Sequence, residues 1–301
     1  MPSNGTAGER GPLLDCNVHL WDQSENPVFW LTDRTVLRDL IGNYDALPDR
    51  YTLADYERDT AGRGVGGVIW SDAGAADPLA AAAWAAGQQG EHGLVRGIVT
   101  LGDPASPDFP AFVRRCRDVP LITSVRVRLA ASLRDTSTPA TPRSAPDDET
   151  THANLELLAE SGLVATVEAT GDQLDAVATL VERHPELLFV VDHFGWPTDH
   201  SDAGRREHLD RLKHIAGRPN TATRIDALST VFGNWTLEQA RSWLLPVTET
   251  FGPDRCMLGS DLPIDRFDAV YEAYDAAFAG YTDAELRMLF HDTAERWYTP
   301  G

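Results

Sequence analysis

Eight short apolar segments alternate with segments of helical pattern, and this alternation limits the possible folds more than any other feature of the chain. The apolar segments are residues 11–19, 65–70, 94–101, 122–129, 163–170, 187–193, 221–227 and 255–261. Strands that alternate with helices form βαβ units, which build parallel sheets. Eight units in 301 residues predict an α/β protein, a closed (β/α)8 TIM barrel. A doubly wound sheet is the alternative, but no glycine-rich phosphate-binding motif follows the first segment.

One long segment interrupts the alternation. Residues 131–148 are rich in Ser, Thr, Pro, Asp and Ala and have no apolar periodicity. Because strands and helices resume on both sides, we interpret this segment as a mobile loop over the barrel and not as a linker between domains. Residues 1–301 are therefore predicted to form a single domain.

The charge of the chain limits its partners. Lys and Arg number 26 against 46 Asp and Glu, a formal net charge of −20, which argues against binding to nucleic acid or to an anionic membrane. No apolar run approaches the roughly 20 residues needed to cross a bilayer, and no signal sequence is visible. Three scattered cysteines favour reduced thiols over a disulfide framework. A cytoplasmic protein with a small-molecule substrate is expected, and assembly into a homo-oligomer is left open.

Polar residues follow several of the predicted strands at the point where each strand ends. In a parallel barrel these ends meet at one rim, where barrel enzymes hold their catalytic groups. Alternation along the first strand predicts that Asp15, Asn17 and His19 face the same side. The residues at the strand ends are Asn17, His19, Glu168, His193, Arg224, Asp226 and Asp261.

This set of imidazoles and carboxylates suits a divalent first-row metal ion such as zinc, iron or manganese. Each residue alone also has a structural explanation: His193 can be a hydrogen-bonded core histidine, and Glu168 can belong to an ion pair. Their joint placement at the strand ends favours a metal site.

Three motifs resemble signatures of amidohydrolase family 2, metal-dependent barrel enzymes that include lactonases and decarboxylases. They are residues 15–22 (DCNVHLWD), 192–197 (DHFGWP) and 258–263 (LGSDLP), and they occur in the family order. The resemblance implies that His19 and His193 are metal ligands and that Asp261 is a ligand or the general base.

The chain departs from the family pattern in two ways. The family has His-x-His where this chain has Asn17-Val18-His19, and the only lysine, Lys213, lies in a predicted helix, so it cannot supply the carboxylated lysine that bridges two metals in other members. Carboxylates at Glu168 and Asp226 complete the set in our interpretation. Two histidines and three carboxylates suit iron or manganese better than zinc. Asn17 is either a further ligand or an orienting partner of one.

This altered pattern resembles the non-haem diiron monooxygenases of platensimycin and platencin biosynthesis, in which an amidohydrolase-like barrel activates dioxygen. That resemblance implies two iron ions, with zinc or manganese as alternatives, and an oxidoreductase that hydroxylates a coenzyme A-linked diterpenoid in antibiotic biosynthesis, part of secondary metabolism. The alternative is a hydrolase in which a metal-bound water attacks a lactone, amide or thioester, with Asp261 as the general base. A barrel that has lost its metal is the third hypothesis.

Four further residues are predicted to contact the substrate. Arg126 and Arg128 share one face of the fourth strand and either bind a carboxylate, phosphate or thioester or form ion pairs with rim carboxylates. Trp30 and Trp196 are predicted to line an apolar pocket. His208, which follows the sixth strand at no regular spacing, is interpreted as a surface residue.

Overall fold

Eight parallel strands form the central sheet of the computed structural model, which describes residues 11–35, 38, 44–89, 93–129 and 149–299. The sheet order is β1-β4-β5-β6-β7-β8-β9-β10, and β2 and β3 form a separate antiparallel pair. The strands are β1 Leu13–Val18, β2 Trp21–Asp22, β3 Arg50–Tyr51, β4 Val65–Ser71, β5 Val95–Leu101, β6 Ile122–Arg128, β7 Val164–Glu168, β8 Phe189–Val191, β9 Thr221–Ile225 and β10 Cys256–Leu258. The eight predicted strands are confirmed. The predicted mobile loop, residues 131–148, lies outside the described residues.

Helices follow the strands as the alternation predicts. Several begin at capping residues: Thr52 and Asp55 form a capping box, and Asp77 accepts hydrogen bonds from two amides of the next turn. The α-helices are Phe29–Thr32, Leu53–Asp59, Pro78–Gly87, Phe109–Cys116, Glu149–Glu160, Leu174–Arg183, Asp202–Ala216, Leu228–Phe232, Leu237–Phe251, Phe267–Ala277, Asp283–Arg287 and Thr293–Tyr298. Among the described residues, none of these helices has the length and apolar character needed to span a membrane.

The barrel closes between β1 and the segment that follows β10. The amide of Asp261 donates to the carbonyl of Asn17 at 2.9 Å, and the amide of His19 donates to the carbonyl of Leu262 at 2.8 Å. Val18 and Leu262 form a parallel bridge. The (β/α)8 barrel is therefore confirmed, and its closure brings the first and third motifs side by side.

The barrel interior is apolar at one end and polar at the other. Its apolar residues are Leu14, Cys16, Ile69, Val99, Val164, Val190, Ala222, Met257, Ala294, Trp297 and Tyr298. Tyr298 covers the N-terminal end, where its carbonyl accepts a hydrogen bond from Thr123 and its hydroxyl lies 2.8 Å from Thr166 Oγ1. Toward the C-terminal end the inward positions carry charge, as Arg126 and Arg224 do. The functional groups therefore lie above a packed apolar layer.

β1 is irregular, and this corrects one prediction. The pairing of β1 with β4 shifts register between Asp15 and Val18. Cys16 packs in the barrel interior whereas Val18 packs on the helix side, so a bulge reverses the alternation. Asp15 accepts a hydrogen bond from the hydroxyl of Tyr56, on the surrounding helix, at 2.9 Å. The prediction that Asp15 shares a face with the other polar residues of β1 is therefore wrong.

Candidate active site at the barrel mouth

Asn17, His19 and Asp261 meet where the barrel closes, and we call these three residues the β1/β10 cluster. Asn17 Nδ2 donates to Asp261 Oδ1 at 2.9 Å, and His19 Nε2 lies 3.1 Å from the same oxygen. His19 Nδ1 lies 2.7 Å from the carbonyl oxygen of Ser71. Because a carbonyl only accepts hydrogen bonds, Nδ1 carries a proton. All three side chains of the cluster are buried.

The donor atoms of the β1/β10 cluster fit one cation. With its proton on Nδ1, a neutral His19 presents the Nε2 lone pair to a carboxyl oxygen, so this contact requires either a metal ion or a proton between the two atoms. Asn17 Oδ1 is buried and has no hydrogen-bond partner among the described residues. An imidazole nitrogen, a carboxylate oxygen and an amide oxygen are donors that a first-row divalent metal accepts.

A second group of charged side chains fills the mouth between β6 and β9, and we call it the arginine cluster. Arg126 Nε lies 2.9 Å from Asp192 Oδ2, and Arg128 Nε lies 3.2 Å from Glu168 Oε2. The cluster consists of three guanidinium groups and three carboxylates: Arg126, Arg128, Arg224, Glu168, Asp192 and Asp226. These charges neutralise one another, so the group needs no further ion for charge balance.

Arg224 links the two clusters. Its fully buried guanidinium group forms an ion pair with Asp192 and lies 3.6 Å from a carboxylate oxygen of Asp226. Its Nη1 donates to Ser71 Oγ at 2.7 Å, and the carbonyl of Ser71 accepts the hydrogen bond from His19. Arg224 was predicted to lie at the rim, without a role.

The arginine cluster does not fit a metal ion. Within the described parts of the chain, Glu168, Asp192 and His193 are the group of three side chains whose possible ligand atoms all lie within 4.8 Å of one another. Both carboxylates are already paired, because Glu168 lies 3.7 Å from Arg126 and Asp192 is bound on two sides by guanidinium groups. A divalent cation at this place would be repelled by the three arginines.

The arginines keep the two carboxylates ionised. Burial opposes the charge of Glu168, yet Arg128 and Arg126 hold its pKa below the ordinary value. Burial likewise opposes the charge of Asp192, but Arg224 and Arg126 hold the pKa of this carboxyl well below its ordinary value. Both residues are therefore carboxylates over the whole physiological pH range.

His193 is paired with a carboxylate. Its Nδ1 lies 2.7 Å from Asp226 Oδ1. Although burial disfavours the charged ring, Asp226 and Asp192 raise the pKa of His193 to about 9. In this state the residue is an imidazolium at neutral pH, so a metal ion would bind it only by displacing its proton. The structure thus separates the six predicted metal ligands into two groups: Asn17, His19 and Asp261 on one side, and Glu168, His193 and Asp226 on the other.

The turn that carries His193 is strained. His193, Phe194 and Trp196 have φ angles of 49°, 42° and 39°, in the left-handed region, which costs on the order of 1–2 kcal/mol for a residue with a side chain. Ala227 and Asp261, which follow β9 and β10, have φ angles of 56° and 59°. Strain of this kind concentrates at functional sites, so its place at three strand ends supports this rim as the site.

The two predicted pocket tryptophans have different surroundings. Trp196 lies beside the site, edge-on to the ring of His193 with 5.4 Å between centroids. Trp30 packs edge-on against Trp21 and Tyr44 and donates its Nε1–H to the carbonyl of Ala73 at 2.7 Å. Trp30 thus belongs to an aromatic group built largely by the 21–51 segment.

The structure also places Lys213, Asp192 and His208, three residues about which the sequence made a prediction or missed one. Lys213 lies on the helix Asp202–Ala216 and pairs with Asp210, as its predicted helical position requires. Asp192 was missed as a site residue, although it comes two positions after the inward-facing Val190, so alternation would have pointed it into the barrel. His208 is buried, and its interpretation as a surface residue is wrong.

Known proteins resemble this chain along nearly its whole length. A family model described as Amidohydrolase matches residues 14–299. The uncharacterized protein y4mH of Sinorhizobium fredii is 25% identical over 295 residues, which covers 95% of this chain and 98% of that protein. An L-fucono-1,5-lactonase of Burkholderia ambifaria is 25% identical over 151 residues, 50% of this chain and 52% of the lactonase.

The fold also matches solved structures. An amidohydrolase from Burkholderia multivorans, crystallised with bound zinc, superposes with a TM-score of 0.77 and 20% sequence identity, covering 96% of this chain and 100% of that one. At this identity the likeness concerns the fold alone.

Proposed function

This chain belongs to the amidohydrolase family, and on that premise we propose that it is a hydrolase that uses one divalent metal ion to open a lactone or a similar ester bond. The contact between His19 Nε2 and Asp261 Oδ1, at 3.1 Å, carries the proposal, because a metal ion or a proton must lie between these two atoms and a metal ion also engages the unpaired oxygen of Asn17. The lactonase of Burkholderia ambifaria supports the choice of substrate bond. The zinc-bound amidohydrolase shares the fold, and its zinc shows that a barrel of this architecture can hold a metal ion.

His19, Asp261 and Asn17 would hold the ion in this proposal. When bound, a zinc or manganese ion would lower the pKa of a water molecule and polarise the substrate carbonyl. We propose one ion, and not two iron ions, because the carboxylate of Glu168 is committed to two arginines.

The proton transfers are divided between Asp261 of the β1/β10 cluster and His193, which pairs with Asp226 of the arginine cluster. Asp261 accepts a proton from the water that attacks the acyl carbon, and Asn17 keeps its carboxylate in place. The ring C–O bond then breaks, and the leaving alkoxide takes a proton from Nε2 of His193. Asp226 holds the opposite nitrogen of that ring at 2.7 Å and stabilises its charged form. Water is consumed and a hydroxy acid is released, after which Asp261 gives its proton to solvent and His193 takes one up.

Arg128 is proposed to bind an anionic group of the substrate. Its side chain is 14% exposed, whereas those of Arg126 and Arg224 are 3% and 0% exposed. Glu168 holds the guanidinium group of Arg128 from one side and leaves its remaining donors for a carboxylate or phosphate. Arg126 would then act indirectly, by fixing Asp192.

The predicted diiron monooxygenase is the alternative that this proposal replaces. It requires Glu168 as an iron ligand, and the relatives reported above include a lactonase and no oxygenase. A coenzyme A-linked substrate and a homo-oligomer stay predictions.

Hydrolysis without oxygen tests the proposal. The protein is incubated anaerobically with L-fucono-1,5-lactone and a panel of anionic lactones, and proton release is followed in weak buffer. We expect turnover that a chelator abolishes and zinc or manganese restores. A requirement for dioxygen, iron and a reductant would establish the oxygenase instead. Turnover that survives the chelator, at well under one metal per chain, would remove the metal from the proposal and keep the hydrolase.

A further inference from the structure

His208 contacts the strained turn from the surrounding helix layer. It lies on the helix Asp202–Ala216, and its Nε2 is 2.9 Å from the carbonyl oxygen of Phe194. Because this carbonyl only accepts, Nε2 carries the hydrogen. Burial lowers the pKa of His208 to about 4, so the ring is a neutral donor at physiological pH.

Two glycines make room for the ring of His208. A Cβ atom at Gly171 would lie 2.9 Å from Nδ1, and a Cβ atom at Gly195 would lie 3.3 Å from Cε1. Gly195 belongs to the turn, and the amide of Gly171 donates to the carbonyl of Trp196 at 2.9 Å. A side chain at Gly171 would displace the ring, whereas one at Gly195 would first meet Leu174, at 2.8 Å, and would press more weakly on the ring.

The hydrogen bond from His208 joins the carbonyl of Phe194, in the turn, to the helix Asp202–Ala216. Within the turn, the amide of Trp196 donates to the carbonyl of His193 at 2.8 Å, which leaves the carbonyl of Phe194 to an external donor. A buried carbonyl without a partner is unfavourable, and left-handed residues relax when their contacts are lost. Loss of the hydrogen bond from His208 would therefore let the turn relax, and His193 would lose its fixed orientation.

We propose that His208 is a positioning residue for His193. By binding the carbonyl of Phe194 it keeps the turn closed, so that His193 Nδ1 stays against Asp226 and Nε2 stays directed to the substrate. This inference rests on the role given to His193 in the proposed function. It adds a residue that does not itself contact the reacting atoms.

The variants His208→Leu and His208→Gln separate positioning from packing. Leucine fills space but has no donor, whereas the amide of glutamine can reach the same carbonyl. We expect His208→Leu to lower kcat for lactone hydrolysis about 10- to 100-fold with little change in KM, and His208→Gln to restore most of it. Leu212→Ala, in a buried position of the same helix, is the matched control for destabilisation and should keep kcat at temperatures well below its Tm.

A second readout needs no substrate. In protein labelled with ¹⁵N-histidine, the Nδ1–H resonance of His193, assigned with His193→Asn, reports the hydrogen bond to Asp226. Loss of this resonance in His208→Leu and its retention in His208→Gln would support positioning even if no lactone is hydrolysed. An unchanged resonance and kcat in His208→Leu would overturn it, as would equal losses in Leu212→Ala.

Discussion

The β1/β10 cluster and the arginine cluster share one rim and are joined through Arg224, yet their charges are arranged in opposite ways. In the first, Nε2 of His19 and Oδ1 of Asp261 face each other at 3.1 Å and need a metal ion or a proton between them. In the second, three guanidinium groups already neutralise three carboxylates. Both clusters contain carboxylates, which are residues that a metal ion accepts as ligands.

The difference teaches that neighbours, and not residue type, decide which carboxylate can hold a metal. Glu168 ends β7 and Asp261 follows β10 of the same barrel, and both are buried. Two arginines lie within 3.7 Å of Glu168, whereas Asp261 is contacted by an amide and an imidazole. The four predictions below test this contrast between the clusters.

The largest effect is expected for Asp261→Asn. The substitution removes a negatively charged metal ligand, which is also the proposed proton acceptor. The kcat for lactone hydrolysis should therefore fall by about 10³-fold or more. Metal content per chain, measured by elemental analysis after purification without chelator, should fall with it. Wild-type metal content in this variant would place the ion elsewhere and end the proposed role of the β1/β10 cluster.

Arg224→Met should cause the largest loss of stability. It leaves two buried carboxylates without their fully buried partner, and breaking such a pair costs about 3–5 kcal/mol in the free energy of unfolding, measured by urea titration. Arg128→Met is the matched control, because Arg128 is partly exposed and Glu168 keeps Arg126 nearby. Equal losses in the two variants would contradict the order of burial within the arginine cluster.

The barrel and the pairing of His19 with Asp261 were within reach of the sequence, because period and strand count give a closed ring in which the first and last strands are neighbours. The position of Asp15 could not be predicted, because a bulge in β1 reverses the alternation and nothing in the sequence indicates the bulge. The sequence also did not decide whether Glu168 forms an ion pair or binds a metal, since a long arginine side chain can reach several carboxylates. Burial of His208 was not predictable either, because its ring packs against Gly171, which belongs to another element.

The ion pair of His193 predicts a loss of stability at alkaline pH. Its folded-state pKa of about 9 lies above the unfolded value of about 6.5. The stabilisation is therefore complete below about pH 6.5 and is lost as the pH rises through about 9, by roughly 3 kcal/mol in total. In Asp226→Asn the free energy of unfolding should change less over this window. An identical pH profile in the variant would contradict the pairing.

Glu168→Gln is expected to have the smallest effect on metal binding, and it separates the two clusters most sharply. Because the carboxylate of Glu168 is bound by Arg126 and Arg128, its neutralisation should leave metal content per chain unchanged. Substrate affinity should fall, since Arg128 loses the partner that orients it, and KM should rise by about 3- to 10-fold for an anionic lactone, equivalent to about 1 kcal/mol. A neutral lactone serves as the control and should keep its KM. Loss of metal in this variant would mean that the arginines release Glu168 when the ion binds, and the two clusters would then act as one metal site.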